Sequence, residues 1–540
     1  MKKKNLVIAA IAAGSLTAGL VAPATAAGSA PQYVETVAGG VSLKVLATSG
    51  DIISGYQIAG IPDGTGAYAS GKNVAMLMNH EIGYGEIAKS LSRAGGTAYG
   101  ATVDKFTINP ATQSITAAKE FLTGVKYYDY STSTWGNTPV APLAAASVDS
   151  YGTPQHSTFL NRFCSASLSP AGRFFFKSGK TEYGIKDAVF LTGEEGSDES
   201  RGFAVNAKGE AVQIPGFGLA AWETFNNIAT GTRTTAVFGN EDGSAKDSQL
   251  WLYQGTKQSK GTWFAKAGLT GGKTYVMKIA NFAAESEFRA QVGKGKATDV
   301  TFASVDATDN GVNQNKTALN VGTALARVED GAFDPKNPKV YYFLTTESNK
   351  DVNATKLDPN NPLVTKRDGG ALWKLVLNDV KNPAAGGKIT MLLDGTEAPY
   401  LNKPDNLEVD GYGNIIIQED PGNNPQLTRM FAYRIADGKL VVMNQFNEAM
   451  FSAAKAAPTF ITEDEETSGV LNVTSLMRKN KSDKKYYYLF VAQVHATGDA
   501  LFKARPDITD AAAKAELAKA IEAGQMYLMT VSNWNTVYGG

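Results

Sequence analysis

Five times along this chain an apolar run stops at acids or amides. Val74-Ala75-Met76-Leu77-Met78 ends in Asn79-His80-Glu81, and Val189-Phe190-Leu191-Thr192-Gly193 ends in Glu194-Glu195-Gly196. Ala236-Val237-Phe238 ends in Gly239-Asn240-Glu241-Asp242, and Arg327-Val328-Glu329-Asp330 leads into an apolar hairpin at Phe333. The fifth case, residues 403–424, reads as strand, turn, strand, loop: Asp405 stands at its entry, the β-branched run Ile415-Ile416-Ile417 in its middle, and Glu419 and Asp420 at its exit. A buried strand that ends in adjacent carboxylates is costly unless a cation waits there. Oxygen-rich ligand sets suit hard cations such as calcium. One such motif is weak, because acids are common in loops. Five of them, on strand ends that converge on one face, make a multinuclear metal site.

Other residues extend the set. Arg327 carries a planar fork that grips a phosphate or carboxylate through two bonds. Cys164 is the single cysteine, so no internal disulfide forms; it is either a small buried hydrophobe or a metal-bound thiolate. His80 is open to two readings, a satisfied core histidine or part of a site with Glu81. His495 ends a strand and is placed to reach the same face, whereas His156 lies in a polar loop without an identifiable partner. Three histidines in all argue against a histidine-rich zinc site. Glu463-Asp464-Glu465-Glu466 reads as a solvated charge run, and Asp306-Ala307-Thr308-Asp309-Asn310-Gly311 as a turn lacking a full calcium-loop spacing. The chain holds no nucleophile elbow, phosphate-binding glycine loop or nucleotide fingerprint.

The elements that must position these residues are mostly strands. Lys105-Phe106-Thr107-Ile108 runs into Asn109-Pro110-Ala111-Thr112, Leu168 into Ser169-Pro170-Ala171-Gly172, and Ala332-Phe333 into Asp334-Pro335. A strand followed by Asp, Asn or Ser and then Pro is a hairpin signal. Many hairpins with few helices predict a β-propeller or a sandwich array. Helices are expected over residues 283–292 and 509–523, the second before a last strand at 526–531. Residues 349–369 and 378–386 read as excursions from the core. The 540 residues carry 52 basic and 52 acidic side chains, a balance that gives no argument for nucleic acid or an anionic membrane surface. Residues 1–26 have a basic start, an apolar Ala-rich stretch and Ala24-Thr25-Ala26, the form of a secretory signal peptide. The remainder, 27–540, is expected to be one large domain without a membrane anchor.

The ordered set Asn79-His80-Glu81, Arg162-Phe163-Cys164-Ser165-Ala166, Thr192-Gly193-Glu194-Glu195-Gly196, Arg327-Val328-Glu329-Asp330-Gly331, Asp405-Asn406 and Gln418-Glu419-Asp420-Pro421-Gly422-Asn423 resembles the PhoX-type alkaline phosphatases. Ala221-Trp222-Glu223 and Leu250-Trp251-Leu252-Tyr253 look like a longer-chain branch of that family. The resemblance implies an all-β fold, a six-bladed β-propeller with a few helical insertions. It implies a secreted, monomeric enzyme hydrolysing small-molecule phosphate monoesters with Ca2+ and Fe3+. The implied metal ligands are Glu81, Cys164, Glu194, Glu195, Asp242, Glu329, Asp405 and Asp420. Arg327 becomes the phosphate clamp and Asn79 a donor to the substrate. Gly193 stands where many members carry a second cysteine. A non-catalytic calcium-binding propeller, and a diesterase or phytase of the same fold, are the competing readings.

Overall fold

The computed structural model describes residues 30–83, 92–93, 96–140, 158–244, 246–347, 367–455 and 458–539. The signal-peptide stretch, His156 and most of the 349–369 excursion lie outside the described residues.

Six blades of mostly antiparallel strands stand around an axis, and their innermost strands touch in a closed ring. Those strands are Pro62–Ser70, Phe163–Ser169, Trp222–Asn227, Val328–Asp334, Pro404–Val409 and Glu465–Asn472, in blades 1 to 6. In blades 1 and 3 to 5 the chain moves outward strand by strand. Blade 5, for example, follows its inner strand with Asn414–Glu419, Arg429–Arg434 and Lys439–Phe446. Blades 3 and 4 share Thr298–Val305, which pairs with Lys273–Ile279 on one side and Gly387–Leu393 on the other, so the two form one nine-stranded sheet. The start of the chain completes the end of the ring. Val34–Thr36 pairs with Lys439–Phe446 in blade 5, and Val41–Thr48 pairs with Ala523–Val531 in blade 6.

Apolar packing follows the same six-fold plan. Each of the six interfaces between neighbouring blades holds its own buried cluster. This is why the strands are apolar on both faces. In Ile415-Ile416-Ile417 the outer two face blade 4 and the middle one faces blade 6.

Most sequence expectations hold, with some differences. The predicted propeller is the observed fold. The turn after Ser169 does not fold back on its own strand. Phe175–Ser178 pairs instead with Thr181–Gly184 as a separate two-stranded excursion, and Phe163–Ser169 pairs with Val189–Glu194. The expected helices are shorter, Glu285–Gln291 and Ala511–Leu517, and the last strand begins at Ala523. A helix at Gly311–Val321 is not apparent from the sequence, because its Asn/Gln/Thr composition lacks an apolar period. It is held by Asn310 as N-cap and by Gln314 and Asn315, which bond the backbone of Leu219. Among the described residues no helix is long and apolar enough to cross a membrane.

The inner strands of blades 1 and 2 approach so closely that only glycine fits at position 64. A Cβ there would sit 2.2 Å from the amide nitrogen of Ala166 and 2.7 Å from Ser165 Cα, both backbone atoms that cannot yield. Gly64→Ala is expected to destabilise the protein by about 1–3 kcal/mol, as overpacking does. Denaturant unfolding checks this, and wild-type stability would contradict the close approach.

Candidate metal centre

One register rule builds the site. In every blade the first residue of the inner strand faces the last residue of the second strand: Pro62 and His80, Phe163 and Glu194, Trp222 and Glu241, Val328 and Thr345, Pro404 and Glu419, Glu465 and Val494. Two equivalent positions follow from it. The second residue of each inner strand is Asp63, Cys164, Glu223, Glu329, Asp405 or Glu466. The residue after each second strand is Glu81, Glu195, Asp242, Thr346, Asp420 or His495. In the first five blades the ladder breaks immediately after the first pair, at a bulge that re-aims the second side chain. The two sets form stacked rings at one end of the axis.

The rings bring ligand atoms together. Four groups, each within 4.8 Å, link round the axis: Asp63, Glu81 and Cys164; Cys164, Glu195 and Glu223; Glu223, Glu329 and Asp405; Asp405, Asp420 and Glu466. Of the residues expected from the sequence, Glu81, Cys164, Glu195, Glu329, Asp405 and Asp420 stand in these groups. Asp63, Glu223 and Glu466 join them although sequence reasoning did not select them. Glu463 to Glu466 is therefore not a solvated run: Glu465 and Glu466 are buried. Asp242 lies at the edge, held by Arg327 through Nε–Oδ1 at 2.7 Å and Nη2–Oδ2 at 2.5 Å. Glu194 stays outside the groups. Arg201 grips both its oxygens at 2.5 and 2.6 Å, and the Asn161 amide donates to it at 2.9 Å.

Two arginines flank the rings, each one residue before an inner strand and each in the left-handed region, Arg162 at φ 43° and Arg327 at φ 62°. Such backbone strain gathers at functional sites. Arg162 pairs with Glu81 and, at 2.9 Å, with Glu195. Arg327 adds a contact of 3.7 Å to Glu329, and its side chain is 28% exposed. Asn79 donates to the Cys164 carbonyl at 2.7 Å and to the Thr192 hydroxyl at 2.8 Å. His80 sits beneath, with Nδ1 2.8 Å from the Gly60 carbonyl and Nε2 3.1 Å from Asp104. That arrangement is the core-histidine reading.

The acids are poorly compensated. Burial, reinforced by neighbouring carboxylates, pushes Glu223, Glu329, Asp405 and Glu466 well above the usual carboxylate range. Burial lifts Asp63 to about 6, Asp242 to about 7 and Glu81 to about 8 against the lowering effect of Ser468, Arg327 and Arg162 respectively. Burial also raises Glu195, but Arg162 and its hydrogen bonds outweigh that and hold it below its ordinary value. The Cys164 thiol donates to Glu223 at 2.9 Å and Asp63 at 3.3 Å, and burial among these acids holds it protonated. This donor set fits cations: many carboxylate oxygens and one sulfur, with no lysine paired to them among the described residues. The Gly193 departure also has a structural cause. A Cβ there would lie 2.3 Å from Trp222 Cβ, so no second cysteine can stand beside the first.

The raised acids bind protons in the folded chain at pH values where the unfolded chain has released them. Without cations, stability therefore falls as pH rises from about 4 through about 8, the window set by ordinary carboxylates and by Glu81. Thermal melts in chelator are expected to show a falling Tm across that window, and added calcium to restore it at the upper end. A Tm in chelator that stays level or rises with pH would contradict the uncompensated cluster.

With this geometry in place, comparison with known proteins is informative. Residues 204–472, from blade 2 to the inner strand of blade 6, match the family model described as alkaline phosphatase PhoX. The fold is similar to that of Pseudomonas fluorescens PhoX in complex with vanadate, a transition state analogue: TM-score 0.57, 12% identity, 93% of this chain and 97% of that chain covered. A luciferin-regenerating enzyme aligns over 87% of this chain and 92% of its own at 9% identity, but its TM-score of 0.29 supports no argument. No curated protein sequence matches the chain. The matched stretch contains Glu223, Asp242, Arg327, Glu329, Asp405, Asp420 and Glu466, and through it the chain belongs to the alkaline phosphatase PhoX family.

Proposed function

We propose that this protein is a metal-dependent phosphatase that hydrolyses small-molecule phosphate monoesters outside the cytoplasm, with residues 1–26 as its export signal and 27–540 as one propeller domain. The observation that carries the reading is the pair of stacked acidic rings with a part-exposed arginine at the rim. Glu81, Cys164, Glu195, Glu223, Glu329, Asp405, Asp420, Glu466 and Asp63 would hold the metals. Calcium suits the carboxylate groups, and iron suits the groups that include the Cys164 sulfur. Bound ions there supply Lewis acidity and charge neutralisation to the phosphate oxygens.

The chain's own residues do the rest. Arg327 presents its fork to the equatorial oxygens, where charge spreads in the transition state. Asp242 aligns that fork and keeps it charged. Asn79 acts through the Cys164 backbone that its amide holds, rather than as the free donor to substrate expected from the sequence. Glu194 orients the blade-2 strand end through Arg201 and binds no metal.

Metal content of the purified protein, paired with p-nitrophenyl phosphate turnover with and without chelator, tests the reading. Iron plus calcium and chelator-sensitive turnover are expected. Calcium alone, with no turnover of mono- or diesters after iron is supplied, would leave a binding propeller; turnover of diesters or phytate alone would move the substrate class. Cys164→Ala and Glu329→Gln are expected to lose most activity and to lower metal content while the fold survives. Arg327→Ala is expected to lower kcat by about 100- to 1,000-fold, the usual cost of removing one charge-stabilising donor. Full activity of these variants with unchanged metal content would remove the residues from the site.

A further inference from the structure

The upper ring is not uniform. Four blades place a carboxylate after the second strand, Glu81, Glu195, Asp242 and Asp420, and blade 4 places Thr346. Blade 6 places His495. It lies across the ring from blade 3, whose Asp242 holds the Arg327 fork. Arg327 itself precedes the inner strand of blade 4, so a phosphate ester gripped between blades 3 and 4 has its far side toward blades 6 and 1. Leaving groups depart opposite the attacking oxygen, and a poor one needs a proton as its bond breaks.

His495 is built to supply one. Val494 faces Ala523 in the ladder of blade 6, so His495 and Glu522 are the next cross-strand pair. Glu522 Oε2 lies 3.1 Å from His495 Nδ1, which leaves Nε2 without a partner among the described residues on a side chain 33% exposed. The residue before Glu522 is Ile521, a β-branched residue at φ 73°. That conformation is a true outlier for such a side chain, and strain of this kind marks positions held for function. Ile521 is kept there by packing against Ala59, Ile61 and Ile82. Among the described residues the charged groups acting most on His495 are acids: Glu522, just before the third strand of blade 6, Glu81 from blade 1, and Asp464, whose carbonyl accepts the His495 amide at 2.9 Å. Burial opposes the charge, and the Glu522 contact raises the imidazole above its ordinary range.

We infer that His495, oriented by Glu522, is the general acid that protonates the leaving-group oxygen. The inference rests on the phosphatase reading above. A water oxygen forms the new bond to phosphorus as the bond to the ester oxygen breaks; the electron pair of the broken bond goes to the ester oxygen, and the proton moves from Nε2 to form the alcohol. The proton that the attacking water gives up to solvent is matched by one that solvent returns to the neutral imidazole. Glu522 is a positioning residue that fixes the ring and sustains its charge.

Leaving-group dependence tests this. p-Nitrophenolate leaves without help, whereas the alkoxide of glycerol 2-phosphate does not. His495→Gln in the metal-loaded full chain is expected to lower kcat/KM for glycerol 2-phosphate by about 100-fold or more, and for p-nitrophenyl phosphate by a much smaller factor. Glu522→Gln, a milder change, is expected to lower glycerol 2-phosphate turnover and to move the alkaline limb of its pH profile downward, since the imidazole loses its partner. Equal losses for both esters, or no loss for either, would overturn the role of His495, as would an alkaline limb that stays in place in Glu522→Gln. No turnover of either ester by the wild-type protein would overturn the phosphatase reading itself, and this inference with it.

Discussion

Like charge buried at the axis is the constraint on which the rest depends. Eight carboxylates and a thiol crowd into linked groups whose ligand atoms lie within 4.8 Å of one another, and every residue among them except Glu195 and Asp420 is buried. In a low-dielectric interior such repulsion is worth several kcal/mol per contact if all are ionised. The hydrogen bonds available, from Ser468 and Gln493 to Asp63 and from Asn406 to Glu223, satisfy lone pairs without supplying charge. Arg162 and Arg327 neutralise only the rim. A fold that holds these groups in place ties its stability to whatever offsets their charge, bound protons at low pH or, were they present, cations.

Rigidity comes from the six interfaces around the axis. Each carries its own apolar cluster, and the ring is closed by strands from the start of the chain, so no inner strand can move without disturbing two cores. The bulge after the first residue of the inner strand turns a side chain that would otherwise alternate into the sheet toward the axis. Repeated in five of the six blades, that local irregularity brings unrelated short motifs together in one site with the blade-6 strand, whose ladder is unbroken at that point.

Departures from six-fold equivalence are where chemistry is differentiated. A single sulfur stands at Cys164 among five oxygen positions, with Gly193 beside it forced by Trp222. Arginines precede the inner strands of blades 2 and 4 only, and His495 alone in its ring carries an imidazole. The repeat supplies the scaffold, and these substitutions give each sector of the mouth its own charge.

The sequence by itself determined a strand-rich chain, its hairpins at Asn109-Pro110 and Asp334-Pro335, and the acids at the ends of second strands, because apolar runs that stop at Glu81, Glu195 or Asp420 leave a local signal. Its resemblance to PhoX proteins pointed to the propeller. Tertiary structure alone decided which acids meet. Asp63 follows Pro62 and precedes Gly64, which reads as turn chemistry, yet the bulge makes it an inner-ring residue. Glu466 sits in an acidic run that looks solvated until its pairing with Gln493 buries it. Glu194 and Glu195 are indistinguishable neighbours in sequence, but strand alternation sends one to Arg201 and the other to the axis. Periodicity records what each strand does. Registry between strands separated by scores of residues selects the ligands, and closure of the ring sets that registry.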